Sequence, residues 1–104
     1  MSKKIPIRNN YKVDMLDVST VLTVKALGDY VIIKTSDARK LVTLSTMKDM
    51  RETLGKGFMR VHRSHIVNTD RIDTVSQAAV VMRGGITVPV GRVYRKELRK
   101  WYSR

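Results

Sequence analysis

Cysteine is absent from the 104-residue chain, which excludes disulfide staples, thiolate metal sites and a cysteine nucleophile. The fold must rest on packing alone. No stretch approaches the roughly 18–20 uncharged apolar residues of a membrane-spanning helix. The lysines of Met1-Ser2-Lys3-Lys4-Ile5-Pro6 have no apolar run behind them, so this is not a secretory signal and the expected location is the cytoplasm. Aromatic residues are few, with one Phe and one Trp, which disfavours the stacking platforms used on single-stranded nucleic acids. Acids are scarce too, 9 against 21 basic residues, for a net charge of +12.

What is present is enough apolar material, 42% of residues, for one packed core in a single domain spanning 1–104. No repeat or Pro/Gly/Ser-rich linker divides it. The charge is uneven: residues 1–52 carry 10 basic and 6 acidic side chains (+4), residues 53–104 carry 11 and 3 (+8). Such a field draws polyanions to the surface without choosing between DNA, RNA and anionic lipid.

The apolar pattern is short and mostly of period two, which predicts strands. Lys3 to Arg8 alternates through Ile5 and Ile7, with Pro6 marking an edge. Tyr11, Val13 and Met15 form a second alternating run. Thr20–Ala26 is β-branched, Gly28-Asp29 reads as a turn, and Tyr30–Thr35 is its hairpin partner. Ser36-Asp37 turns the chain again into Lys40–Leu44, completing a meander. Ser45 reads as a helix N-cap before Met47, Met50 and Leu54, with Gly55 and Gly57 as stops. Phe58–His62 and Ala78–Met82 return to period two, and Gly84-Gly85 joins the latter to Ile86–Val90. Val93–Tyr102 suits a short amphipathic helix with Arg95, Lys96, Arg99 and Lys100 outside. The expectation is a mainly β fold of short antiparallel strands, with one short mid-chain helix and a short C-terminal helix. No helix-turn-helix pattern is present.

Enzyme signatures are weak. Asp70 and Asp73 offer a pair for a metal-dependent nuclease, but further acids would be needed nearby. Gly55-Lys56-Gly57 is too short for a phosphate-binding loop. His62 and His65 lie on opposite faces if both sit on one strand, and no third metal ligand stands close in sequence. The expectation is a non-catalytic chain with no metal or cofactor. His62 and Asn68 read as architectural, hydrogen-bonding the loop that presents Arg63, and Trp101 as a cap on the core.

The segment Phe58-Met59-Arg60-Val61-His62-Arg63-Ser64-His65-Ile66-Val67-Asn68 carries the information. A strand here buries Val61 while Arg63 and Ser64 fall where the pattern breaks, as in a loop. Arginine presents a planar fork that matches guanine O6 and N7 or a phosphate, and serine reaches phosphate oxygens. This segment resembles the central signature of the LytTR family of bacterial DNA-binding domains. Val24-Lys25-Ala26-Leu27-Gly28-Asp29-Tyr30-Val31, the helix around Met47 to Leu54, and Val88-Pro89-Val90-Gly91-Arg92-Val93-Tyr94 resemble further family motifs in family order. Gly91 stands where the family often has serine.

The resemblance implies an elongated β domain that docks on duplex DNA through loops entering successive major grooves. It implies base-reading positions at Tyr30, Arg63 and Arg92, with Lys25, Ser64, His65, Arg95 and Lys96 as backbone neighbours. An ion pair with Glu97 is the plain alternative for Arg92, and packing of the ring for Tyr30. The implied partners are promoter repeats in duplex DNA, a second copy on that DNA, and a receiver domain; no membrane partner is implied. A β-rich RNA-binding module and the nuclease remain the alternatives.

Overall fold

A computed structural model describes residues 3–103; Met1 and Ser2 of the lysine-bearing N-terminus, and Arg104, lie outside the described residues. Strands β1 (Lys4–Arg8) and β2 (Val13–Asp17) form an antiparallel hairpin. Asn9 shapes its turn, the side-chain oxygen accepting from the Tyr11 and Lys12 amides. Buried Ile5 and Ile7 alternate with exposed Lys4, Pro6 and Arg8. In β2 the alternating apolar residues Val13 and Met15 face outward, as does Tyr11 ahead of the strand, and Leu16 is the buried residue. The register decides this: Leu16 lies opposite Ile5, so Met15 must point to solvent.

The meander follows as β3 (Val21–Leu27), β4 (Tyr30–Thr35) and β5 (Lys40–Leu44). Helix α1 (Met47–Leu54) buries Met47, Met50 and Leu54 at helical spacing and ends at Gly55, φ +83°. Its N-cap is Thr46, not Ser45: the Thr46 hydroxyl accepts from the Asp49 amide at 3.0 Å, while Ser45 donates to the Thr46 carbonyl. Thr46 is the last extended residue, which places its hydroxyl in the right register.

β6 (Phe58–His62) and β7 (His65–Asn68) then complete an antiparallel sheet of order β5-β4-β3-β7-β6. The sheet separates two cores. Phe58 and Ile66 pack with α1 and the first hairpin on one side. Val61 and Val67 pack on the other against a three-stranded sheet of β8 (Ile72–Val75), β9 (Ala79–Met82) and β10 (Thr87–Pro89) and against Leu98 of helix α2 (Arg95–Tyr102). Pro89 lies in β10, an edge strand where a missing amide is tolerated. Half-buried Trp101 packs on this second core as its cap. Strand β8 has no counterpart in the sequence reading, because only Ile72 and Val75 of its four residues are apolar.

Acids being few, several cations are held by backbone carbonyls. Lys3 Nζ donates to Thr53 O at 2.9 Å, Arg71 Nε to Ser19 O at 2.7 Å and Arg95 Nε to Gln77 O at 3.1 Å. Each contact joins segments distant in sequence. Among the described residues the ion pairs are Lys12–Asp14 and Arg39–Asp37, both local.

Candidate nucleic-acid interface

Antiparallel topology sets where the loops fall. Because β3 and β6 run one way and β4 and β7 the other, the β3–β4 turn and the β6–β7 turn must emerge at the same end of the sheet. Adjacent strands are about 4.8 Å apart, so these turns stand about 10 Å from each other. A third loop is brought to that end by the Gly91 amide, which donates to the Val61 carbonyl at 2.8 Å. Three sequence-distant segments meet there: Gly28 to Tyr30, Arg63 to His65, and Gly91 to Tyr94.

Tyr30 opens β4 after a two-residue turn in which Gly28 takes φ +57°, and it lies opposite Leu27 and Leu44. Half of its surface is exposed. It borders an open groove of about 570 Å³ with Gly28, Leu44 and Thr46 and is not packed in the core. Asp29 beside it is the one carboxylate on these three loops.

Arg63 is exposed at the tip of the β6–β7 turn, and its guanidinium has no hydrogen-bond or ion-pair partner among the described residues. The turn itself is firmly held. The His62 Nδ1 accepts from the Ser64 amide at 3.0 Å, and the Ser64 carbonyl accepts from the Ala26 amide at 2.9 Å. His62 therefore shapes the loop as expected. Asn68 does not hold that loop, contrary to expectation: it stands at the other end of β7, where its Nδ2 donates to Val21 O at 2.9 Å and its Oδ1 accepts from the Asp70 amide at 3.1 Å.

His62 and His65 do not lie on opposite faces. A bulge at Val61 and the intervening turn make them cross-strand partners, their rings edge to face with centroids 5.2 Å apart. Lys25 pairs with His65 across β3 and β7. Burial, then the charge of His62, then that of Lys25 hold the His65 pKa below its ordinary value.

Arg92 begins a short 3-10 helix, Arg92–Tyr94, that leads into α2, and its side chain is exposed. It makes no ion pair with Glu97 among the described residues. Gly91 has φ −73°, open to any residue, so conformation does not demand glycine there. Space there is tight: a Cβ would lie 3.1 Å from Tyr94 Cδ2 and 3.5 Å from His62 Cα, so a side chain would need the Tyr94 ring to give by a few tenths of an ångström. Lys96 is exposed in the first turn of α2, and Arg95 keeps part of its guanidinium on the Gln77 carbonyl.

Arg60 was not singled out by composition or spacing. Its Nη2 donates to the Arg63 carbonyl at 2.5 Å and its Cζ lies 6.0 Å from the centre of the Tyr94 ring. Asp70 and Asp73 are both exposed near the opposite end of the sheet, and no group of three or more His, Cys, Asp or Glu gathers among the described residues. No helix among them is long and apolar enough to cross a membrane.

A β domain with basic, sequence-distant loops gathered at one end belongs to a class defined by its loops, since the sheets only carry them. The LytTr DNA-binding domain model matches residues 11–103, and the chain belongs to that family. It is 28% identical over 102 residues to the sensory transduction protein LytT of Bacillus subtilis, covering 93% of this chain and 42% of that protein. It is 33% identical over 92 residues to LytT of Bacillus cereus, covering 83% and 37%. The transcriptional regulatory protein BtsR of Escherichia coli K12 is 26% identical over 103 residues, covering 94% and 42%. The chain thus spans less than half the length of these curated relatives. The LytTr DNA-binding domain of a protein described as a methyl-accepting/DNA response regulator from Bacillus cereus shares the fold, with a TM-score of 0.82, 20% identity and 97% coverage of both chains.

Proposed function

We propose that this domain binds duplex DNA sequence-specifically as the DNA-reading part of a bacterial transcription regulator in the cytoplasm. Arg63 and Arg92 read base edges in successive major grooves and Tyr30 makes a third base contact. Lys25, Ser64, His65, Arg95 and Lys96 meet phosphates. One observation carries the reading: exposed Arg63 and Arg92, without internal partners among the described residues, stand on loops that the fold brings to one end. A guanidinium so presented has two acceptors available on guanine and two on phosphate. Promoter repeats then seat a second copy, and a receiver domain of a longer regulator would control that pairing.

Selection of bound duplexes from a random pool, repeated with Arg63→Ala, Arg92→Ala and Tyr30→Ala, tests the assignment. Each arginine variant should lose preference at its own base pair, at about 1–3 kcal/mol of discrimination. An unaltered motif in both would refute base reading, and a pool with no motif would refute specificity. Competition by single-stranded RNA at matched salt separates the RNA-binding alternative.

A further inference from the structure

Resting on the reading just given, we infer that Arg60 and Tyr94 are positioning residues that lock the Arg63 loop and the Arg92 loop into one rigid reading unit. Arg60 leaves β6 on the side where the two loops meet. The edge of its guanidinium holds the Arg63 carbonyl, and its carbon lies over the Tyr94 ring. Tyr94 in turn belongs to the Arg92 helix, its amide bound to the Gly91 carbonyl at 3.0 Å. The ring occupies the space that a residue-91 side chain would take, 3.1 Å from that Cβ position. Gly91 is tied back to Val61, one residue from Arg60.

The contacts close a circuit: Arg63 carbonyl, Arg60, Tyr94, Gly91, β6 and back to the turn through His62. No member of it needs to touch DNA. Arg60 Nε is buried with no hydrogen-bond partner among the described residues, and its Nη2 is committed to the Arg63 carbonyl, which sets this cation apart from exposed, unpartnered Arg63 and Arg92. Only a planar guanidinium can donate along its edge while presenting a face to a ring, so lysine is a poor replacement although it keeps the charge.

The experiment uses the site recovered by selection on the unmodified protein and single base changes at the positions assigned to Arg63 and Arg92. A double-mutant cycle between Arg63→Ala and Arg92→Ala should show a coupling factor of about 2–10, because the two contacts share one rigid support. In the Arg60→Lys background that factor should fall to about 1, and discrimination should weaken at both positions together while the salt dependence stays the same. Tyr94→Leu should behave like Arg60→Lys, and Tyr94→Phe, which keeps the ring, should behave like the unmodified protein. A merely structural role would lower the melting temperature and the fraction able to bind, without erasing the coupling. Coupling and discrimination unchanged in Arg60→Lys would overturn the brace while leaving base reading intact. Loss of the motif's dependence on Arg63 and Arg92 themselves would instead overturn the reading on which the brace rests.

Discussion

Replacing Asn68 tests how the central sheet is fastened at the end remote from the loops. The residue is 4% exposed and makes two contacts, donating to Val21 O and accepting from the Asp70 amide. Val21 is fully buried, so in Asn68→Ala its carbonyl loses a donor where water cannot replace it, at about 1–3 kcal/mol. The Asp70 amide begins an exposed 3-10 turn and can recruit water, so its loss resembles a missing N-cap, at about 1 kcal/mol. Together these give about 2–4 kcal/mol. At 4–8 °C per kcal/mol for a domain of this size, the melting temperature should drop by roughly 8–30 °C.

Asn68→Asp sharpens the test. It keeps the acceptor for the Asp70 amide but sets the second carboxylate oxygen against the Val21 carbonyl, a buried contact between two acceptors that costs more than the neutral loss. The order of stability should be Asn68 above Ala above Asp at pH 7, with Asp recovering as acid protonates it. Thermal unfolding followed by circular dichroism, with urea titration for the free energies, reads both. A drop below 1 kcal/mol in Asn68→Ala, or an Asp variant as stable as the parent, would refute the claim that the Asn68 amide fastens β7 to Val21 of β3 while its oxygen caps the turn that follows. Below its melting transition Asn68→Ala should bind DNA with nearly parental affinity, since the residue lies a strand's length from Arg63.

Further outcomes follow from the same geometry. Lys25→Ala and Lys96→Ala should weaken binding to cognate and scrambled duplexes alike, and each should reduce the slope of log affinity against log salt by about 0.9; an effect confined to the cognate site would make them readers. Arg71→Gln removes a bond to the Ser19 carbonyl far from the loops, so it should lower stability by about 1 kcal/mol and leave the salt slope unchanged, whereas a slope reduced by about 0.9 would put Arg71 on phosphate. His65, with its folded pKa held below the ordinary 6.5, binds fewer protons folded than unfolded between that depressed value and 6.5. Its contribution to stability is therefore complete above 6.5 and is lost as pH falls through that window. If His65 meets phosphates as proposed, they would favour the imidazolium, so DNA affinity should rise as pH falls from 8 to 6, and His65→Gln should flatten both trends; parallel profiles for parent and variant would show that His65 drives neither.

Much of this was legible because local pattern and tertiary structure agree. The Gly28-Asp29 and Gly84-Gly85 turns, the meander and both helices follow from residue type and period alone, and Val61 is buried as its alternation requires. The misses have physical causes. Tyr11, Val13 and Met15 alternate correctly for a strand but expose the apolar face, because pairing with Ile5 and Ile7 fixes which parity is buried. The cap moved from Ser45 to Thr46 because two adjacent hydroxyl residues compete and only backbone angles decide between them. The pairing of His62 with His65 depends on a bulge, which one sequence does not announce. At the site, Arg63 and Arg92 came from motif resemblance. The Arg60–Tyr94 contact joins residues 34 apart, so no window of sequence holds it.

The excess charge itself now divides by geometry. An unstructured reading of +12 would assign each cation to phosphate, yet Lys3, Arg60, Arg71 and Arg95 each donate to a backbone carbonyl. With so few carboxylates available, a chain can fasten its loops with long cationic side chains whose donors reach carbonyls, while their charge still adds to the long-range field. Affinity at distance depends on total charge, but information at the groove depends on which guanidiniums are left free and how rigidly they are held. Arg63 and Arg92 are free, and Arg60 is not. A variant that keeps the net charge but releases Arg60 should therefore still reach DNA at the same rate and then choose its sequence less well.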